Sequence, residues 1–342
     1  MATSKSMQKS KTVKNDEFYT LWQDIADELP LYREQLRGKR ILCPCDWDES
    51  YDEALVYKAE GYVAPDNLFS IGGTIKEIDI AHSMDKLERD LDSVKCNFVK
   101  FLVSHAEAYG IKSVSVSGYD PMSGRGVKFQ DVDYSKYDVV ITNPPFSLFR
   151  EFIDVMFENN IKFLIIGPTN ALTYKGVFGH VQNNEMWLGY HHHMTGFLLP
   201  SGEILSKSDA LVRYCCWYTN LDVSYRHDRM ILTEKYDPVK NPTYCNYDGI
   251  DVSKTVAIPY DYAGHMGVPI TFLQKYNPDQ FEIIGSSGTL AGDAPTDVPK
   301  QLKGGPRFYI QEPSGKYRRL FEKLVIRNKE VYHGDDDGSG TV

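Results

Sequence analysis

Apolar positions fall into short runs divided by polar turns. Residues 96–109, CNFVKFLVSHAEAY, have apolar side chains at helical spacing, and Gly110 follows as a helix end. Residues 21–37 share that spacing, with Pro30 placed to break or start a helix. Residues 41–45 predict a short strand ending in Asp46 and Asp48. Residues 113–117 alternate Ser and Val, predict a second strand, and run into Gly118-Tyr119-Asp120-Pro121. Residues 137–142 and 162–167 predict buried strands, with a helix over 147–159 between them. Strand, helix and strand joined by short connections predict an α/β fold with a doubly wound, mostly parallel sheet. Ligands in such sheets bind beyond the carboxyl ends of the strands, so Asp46, Asp120 and Asn143 are expected to face one crevice.

The pattern changes after residue 186. MWLGYHHHMTGFLLP and LVRYCCWYTNLDV predict two antiparallel strands of a hairpin or meander. From 223 onward Tyr, Pro, Asn and Asp are frequent, which predicts a smaller, loop-rich C-terminal region with short strands. Residues 49–95 are acidic, with a turn expected at Gly72-Gly73 and a helix over 85–91. Residues 1–14 are polar and expected to be a flexible arm.

Charge refines this picture. The net charge of −9 argues at first against a nucleic-acid partner. Residues 46–92, however, hold thirteen acids against four bases, so the rest of the chain is neutral. Residues 1–14 have four lysines and no acid, and residues 302–329 have eight bases against Glu312 and Glu322. These two zones suit either phosphate contact or a solvated surface. No window approaches the roughly 20 apolar residues of a membrane span, and the N-terminus has no apolar signal region. The six cysteines form no CxxC pair. Reduced thiols and a cytoplasmic location are expected.

The chemistry concentrates in DVVITNPPFSLFR, residues 138–150, where a buried strand stops at Asn143, Pro144, Pro145 and Phe146. The prolines fix φ and remove two N–H donors, and Asn143 is biased towards extended geometry by the proline after it. A side-chain amide, an aimed carbonyl and a flat aromatic ring together suit a planar group with an exocyclic amine, such as adenine. Two acceptors on that amine stabilise the positive charge that develops when its nitrogen attacks an electrophile. A plain turn after a core strand is the competing reading, and the position after a buried run favours the functional one.

At these residues the chain resembles the EcoRI-type adenine-specific DNA methyltransferases. The resemblance extends through DEFYT (16–20), DVVITNPPFSLFREF (138–152), WYTNLDV (217–223), YCNYDGIDV (244–252) and IPYDYAGHMGVPITFLQKYNPDQFEIIG (258–285). It implies a Rossmann-like catalytic domain over 15–222, with the acidic stretch 49–95 as an insertion, and DNA recognition by 223–342. It implies transfer of a methyl group from S-adenosylmethionine to N6 of a flipped-out adenine in a short duplex DNA sequence. Asn143, Pro144, Pro145 and Phe146 would be the catalytic corner. Phe18, Tyr19, Thr20, Cys43, Pro44, Cys45 and Asp46 would line the cofactor, with Asp120 on its ribose and Asp131, or Asp133, on its adenine. A cognate restriction endonuclease and the cytoplasm of a bacterial or phage-infected cell fit the same reading. The chain departs from methyltransferases in general by lacking a glycine-rich turn after residues 41–45, and it has Lys128-Phe129 where an acid-Phe pair is expected.

Other readings stay in view. The same corner serves amine or amide methylation of RNA or protein, and a DNA binder without catalysis is a further alternative. In a strand, only His191 and His193 of the His191–His193 run would share a face, too few for a metal site. Cys43 and Cys45 suit a buried strand end better than a metal or redox pair. Tyr260, Tyr262 and His265 suit either base contact or core, and Arg318-Arg319 a solvated face.

Overall fold

A computed structural model describes residues 18–46, 53–62, 96–121, 123–199 and 201–331. The expected arm over 1–14, the turn at Gly72-Gly73 and the helix over 85–91 lie outside these residues, as does all of 49–95 apart from 53–62. The chain divides into two compact units, Met1–Val181 with Glu185–Asp222, and Gln182–Asn184 with Val223–Val342.

The first unit is mixed α/β, built on a seven-stranded mixed sheet. Its strands are β1 (Arg40–Cys43), β2 (Ala54–Lys58), β3 (Ser113–Val116), β4 (Val139–Thr142), β5 (Lys162–Pro168), β6 (Trp187–Leu188) and β7 (Cys215–Thr219), in the order β2-β3-β1-β4-β5-β7-β6. The contiguous set β3-β1-β4-β5 is parallel, whereas β2 runs antiparallel to β3, and β7 antiparallel to β5 and β6. All four residues of β4 and all five of β7 are buried, as expected of central strands covered on both faces. Strand β2 falls inside the acidic stretch, where the sequence pattern predicts none, because charged neighbours on either side hide its apolar residues.

Helix α1 (Trp22–Glu28) gives way at Pro30 to a 3-10 turn. Helix α2 (Asn97–Tyr109) ends on Gly110 at φ 64°, the left-handed position where glycine is favoured. Helix α3 (Phe149–Glu158) buries Phe149, Phe152, Ile153 and Met156 on one stripe. A Cβ on Gly167 would lie 2.2 Å from the Phe149 ring, so β5 and α3 approach as closely as a glycine allows.

The expected meander over 186–223 is only partly present. Trp187–Leu188 and Cys215–Thr219 pair antiparallel, but Gly196–Leu198 joins a separate small sheet with Tyr19–Thr20 and Ile204–Ser206. Residues 189–195 form an irregular loop, so His191–His193 are not in a strand. Carboxylates explain the break: Glu28 accepts the Tyr190 and His191 N–H groups, and Asp24 accepts that of Thr195. Those donors are therefore lost to any ladder.

The second unit has a four-stranded sheet of β8 (Ile250–Asp251), β9 (Met266–Pro269), β10 (Phe281–Ser286) and β11 (Lys323–Asn328), in the order β8-β9-β11-β10. A hairpin, Tyr309–Gln311 with Tyr317–Arg319, stands beside it in sequence. Tyr244, Phe308, Ile310, Leu320 and Val325 form one buried cluster. Buried Lys323 is paired with Asp251 at 2.9 Å, and the Tyr244 hydroxyl donates to the same carboxylate at 3.1 Å. Among the described residues no helix is long and apolar enough to cross a membrane.

Candidate active site

Asn143 follows directly on β4. Register sets what lies beside it: Ile41 and Leu42 of β1 oppose Val139 and Val140, so the loop after β1 emerges next to the corner. The Thr142 hydroxyl donates to the carboxylate of Asp46, and both residues are buried. The bond sets Asp46 against the residue that precedes Asn143. Burial, and then the Asp46 charge, push the thiols of Cys43, Cys45 and Cys96 well above their usual range, so all three stay protonated. Pro44 is buried between the first two.

The Asn143 amide nitrogen donates to the main-chain carbonyl of Phe18 at 2.6 Å. That carbonyl can only accept, so the atom facing it must be nitrogen. The other end of the amide, Asn143 Oδ1, is buried and has no partner among the described residues. The hydroxyl of Thr20 is likewise buried and unpaired among them. A buried polar atom without a partner costs about 1–3 kcal/mol. Two such atoms, on Asn143 and on Thr20, make this corner a candidate for hydrogen bonds to a polar ligand.

Aromatic rings wall this corner. Phe18 stacks on Phe146 at 5.9 Å and 24°, and Phe197 meets Phe146 edge-on at 6.1 Å and Phe18 at 6.0 Å. Phe18 is held because Tyr19–Thr20 pairs with Gly196–Leu198, and because Asn97 at the start of α2 donates to the Thr20 carbonyl at 2.8 Å. Pro145 turns the chain: its carbonyl accepts the Leu148 N–H at 3.0 Å, and a 3-10 turn then leads into α3.

Phe197 and the acids behind the loop are the residues that sequence reasoning missed. The Glu28 side chain is fully buried and also accepts the Tyr32 hydroxyl at 2.8 Å. His191 Nδ1 lies 2.7 Å from the same carboxylate, and this bond raises the His191 pKa. Burial, helped by its two histidine neighbours, lowers that of His192 to about 4. Burial raises the Asp24 carboxyl against the opposing bonds from Thr195. A charged residue in an amphipathic helix such as α1 reads as solvated face. Only a partner far along the chain shows otherwise.

The other sequence-derived acids lie differently. Asp120 belongs to a two-stranded turn with Arg125–Gly126, where its carboxylate accepts the Ser123 N–H at 3.2 Å and hydroxyl at 2.5 Å. Asp131 is exposed at the end of a 3-10 turn whose Phe129 packs on Phe152 at 5.0 Å. Asp133 caps the next turn through Ser135, whose hydroxyl bond holds its carboxyl below the usual range against mild burial. Among the described residues no three His, Cys, Asp or Glu side chains are grouped to hold a metal ion.

Known proteins resemble this chain over most of its length. The family described as adenine-specific methyltransferase EcoRI matches residues 6–58 and 130–329, a span that includes the whole Asn143–Phe146 corner. The type II methyltransferase M.EcoRI of Escherichia coli is 38% identical over 300 residues, covering 83% of this chain and 89% of that protein. M.MpnI of Mycoplasma pneumoniae is 27% identical, covering 94% and 98%. M.MgeORF184P of Mycoplasma genitalium is 28% identical, also covering 94% and 98%. With the family matched over most of the chain and the corner intact, the chain belongs to the EcoRI family of adenine-specific DNA methyltransferases.

Proposed function

We propose that the enzyme transfers a methyl group from S-adenosylmethionine to N6 of an adenine flipped out of a specific short duplex DNA sequence. The observation that carries this reading is the buried Oδ1 of Asn143, which has no partner among the described residues and is held in place by the bond of its amide nitrogen to the Phe18 carbonyl. An adenine amino group presents two N–H donors. Asn143 Oδ1 and the Pro144 carbonyl accept one each, which draws the nitrogen lone pair out of conjugation and stabilises the charge that grows on it. Pro145 keeps the corner rigid, and Phe146 stacks on the base. The extra proton leaves after transfer, so no strong base is needed beforehand.

S-adenosylmethionine supplies, when bound, an electrophilic methyl group on a sulfonium. Phe18, Tyr19 and Thr20 would hold it, with the Thr20 hydroxyl, which has no partner among the described residues, offering a hydrogen bond. Cys43, Pro44, Cys45 and Asp46 would line its amino-acid end, where thiols kept neutral leave Asp46 as the acid for an ammonium. Asp120 is assigned to the ribose and Asp131 to the cofactor adenine. The strand order, which passes from β1 to β3 on one side and to β4 and β5 on the other, supports a Rossmann-like doubly wound arrangement with the site at the reversal.

Duplex DNA is the partner in this reading, contacted by the second unit and by the basic arm over 1–14, and a cognate restriction endonuclease acts on the same sequence. Such work belongs to the cytoplasm. The test is Asn143→Ala. Methylation should fall at least a hundredfold while calorimetric binding of S-adenosylmethionine stays close to wild type. Retained turnover would overturn the mechanism, and competition by RNA but not DNA would overturn the substrate.

A further inference from the structure

The Asn143 amide does two things at once. Its oxygen has no partner among the described residues, and its nitrogen is committed to the Phe18 carbonyl at 2.6 Å. Only the first is needed to accept a hydrogen bond from an amine. A carboxylate would accept at least as well, since hydrogen bonds to an ionised acceptor are the stronger ones. The second task is closed to a carboxylate, which has no proton to give.

We propose that the Phe18 main-chain carbonyl is a positioning group for catalysis, one that makes residue 143 a donor as well as an acceptor. Resting on the reading that Asn143 Oδ1 receives N6–H, this assigns Phe18 a part in orienting the reacting corner, beyond lining a cofactor. The carbonyl is itself firmly placed. The next two residues pair with Phe197 and Leu198, Asn97 holds the Thr20 carbonyl, and the Phe18 ring stacks on Phe146. If the amide turned over, two carbonyl oxygens would face each other at hydrogen-bonding distance, so the productive orientation is the only satisfied one.

The consequence is sharpest for Asn143→Asp. Ionised, the new side chain sets one oxygen against the Phe18 oxygen with no proton between them. Protonated, its hydroxyl donates to Phe18 and its other oxygen is left to accept. Among the described residues, the titratable groups around the corner are Asp46, joined to Thr142, the thiols of Cys43, Cys45 and Cys96, and Tyr19 on the strand opposite Leu198. The thiols remain neutral, and burial together with the Asp46 charge favours the protonated form of an acid at this position. The variant should therefore be weak at alkaline pH and recover as pH falls.

The experiment measures methylation of duplex DNA by wild type, Asn143→Asp and Asn143→Ala from about pH 5.5 to about pH 8.5, with each variant's rate divided by that of wild type. The ratio for Asn143→Asp should climb as pH falls, by up to about tenfold per unit above the pKa of the new acid, while the ratio for Asn143→Ala stays flat. A flat ratio for Asn143→Asp, whether high or near zero, overturns the proposal. A second readout needs no DNA. With the folded pKa of the introduced carboxyl raised, the urea midpoint of Asn143→Asp relative to wild type should fall as pH rises, and a pH-independent difference also overturns the proposal. If wild type methylates no adenine, the functional reading fails, and the urea series alone decides whether Phe18 demands a donor from the side chain facing it.

Discussion

The Thr142 hydroxyl donates to the Asp46 carboxylate, tying the last residue of β4 to the loop that follows β1. Both groups are buried, so the bond fixes the acid beside the corner. Thr142→Val keeps the shape of the side chain and removes the donor. If Asp46 holds the amino-acid end of S-adenosylmethionine, the variant should bind it about tenfold more weakly, a loss of about 1.4 kcal/mol. The turnover of bound enzyme should change little. Calorimetry with kcat measured at saturating cofactor checks both, and unchanged affinity would remove Asp46 from the cofactor pocket.

Gly167 and Phe149 make a contact with no spare volume. The Cβ of an alanine at 167 would sit 2.2 Å from the ring. Gly167→Ala should cost about 2 kcal/mol or more in urea denaturation, the usual effect of overpacking a filled core. Adding Phe149→Leu to it should recover part of the loss, because the clash is with the far side of the ring. Two strictly additive losses would show that the strain lies elsewhere.

Arg40 and Asp138 join the start of β1 to the entry of β4. The guanidinium makes two bonds to the carboxylate, at 2.9 Å and 3.0 Å, and the Arg40 N–H adds a third at 2.8 Å. Burial raises the Asp138 carboxyl, and the Arg40 bonds more than reverse this, leaving it below its usual value. A depressed folded pKa means stability that is present above the unfolded value of about 3.9 and lost as pH falls through the folded one. Asp138→Asn should cost about 1–3 kcal/mol at neutral pH. Its gap to wild type should close in urea melts run below about pH 4.

Arg318 and Arg319 lie on the exposed strand of the hairpin in the second unit. Arg319 donates to the Gly304 carbonyl, and Arg318 sits 3.9 Å from Glu312. If this hairpin meets DNA phosphates, changing both to alanine should weaken duplex binding. It should also lower the slope of log affinity against log salt by about 2, since each phosphate contact contributes about 0.9. An unchanged slope would move the DNA contact to another part of the unit.

Much of the first unit was legible in the sequence. The strands around 41, 114, 140 and 164 are apolar runs closed by polar turns, and Gly110 marks the end of its helix directly. The Asn143–Phe146 corner of the candidate site was legible because its residues are consecutive in the chain. What escaped was set by partners distant in the chain. Residues 189–195 look strand-like until Asp24 and Glu28 take their N–H groups. Phe197 becomes a wall of the site only through Phe18 and Phe146, neither of them near it in sequence. Asp120 shows the converse. The sequence pattern puts it at the end of the strand over 113–117, but that strand stops at Val116, and Asp120 sits in a separate tight turn with its carboxylate engaged by Ser123.

Adenine methylation by the Asn143 corner can be read out by incubating the enzyme with S-adenosylmethionine labelled in its methyl group and unmethylated duplex DNA, then mapping modified bases by sequencing. Label is expected on N6 of adenine, confined to one short motif, with Asn143→Ala silent under the same conditions. Label on cytosine, on RNA or protein in preference to DNA, or on adenine without Asn143 would contradict it.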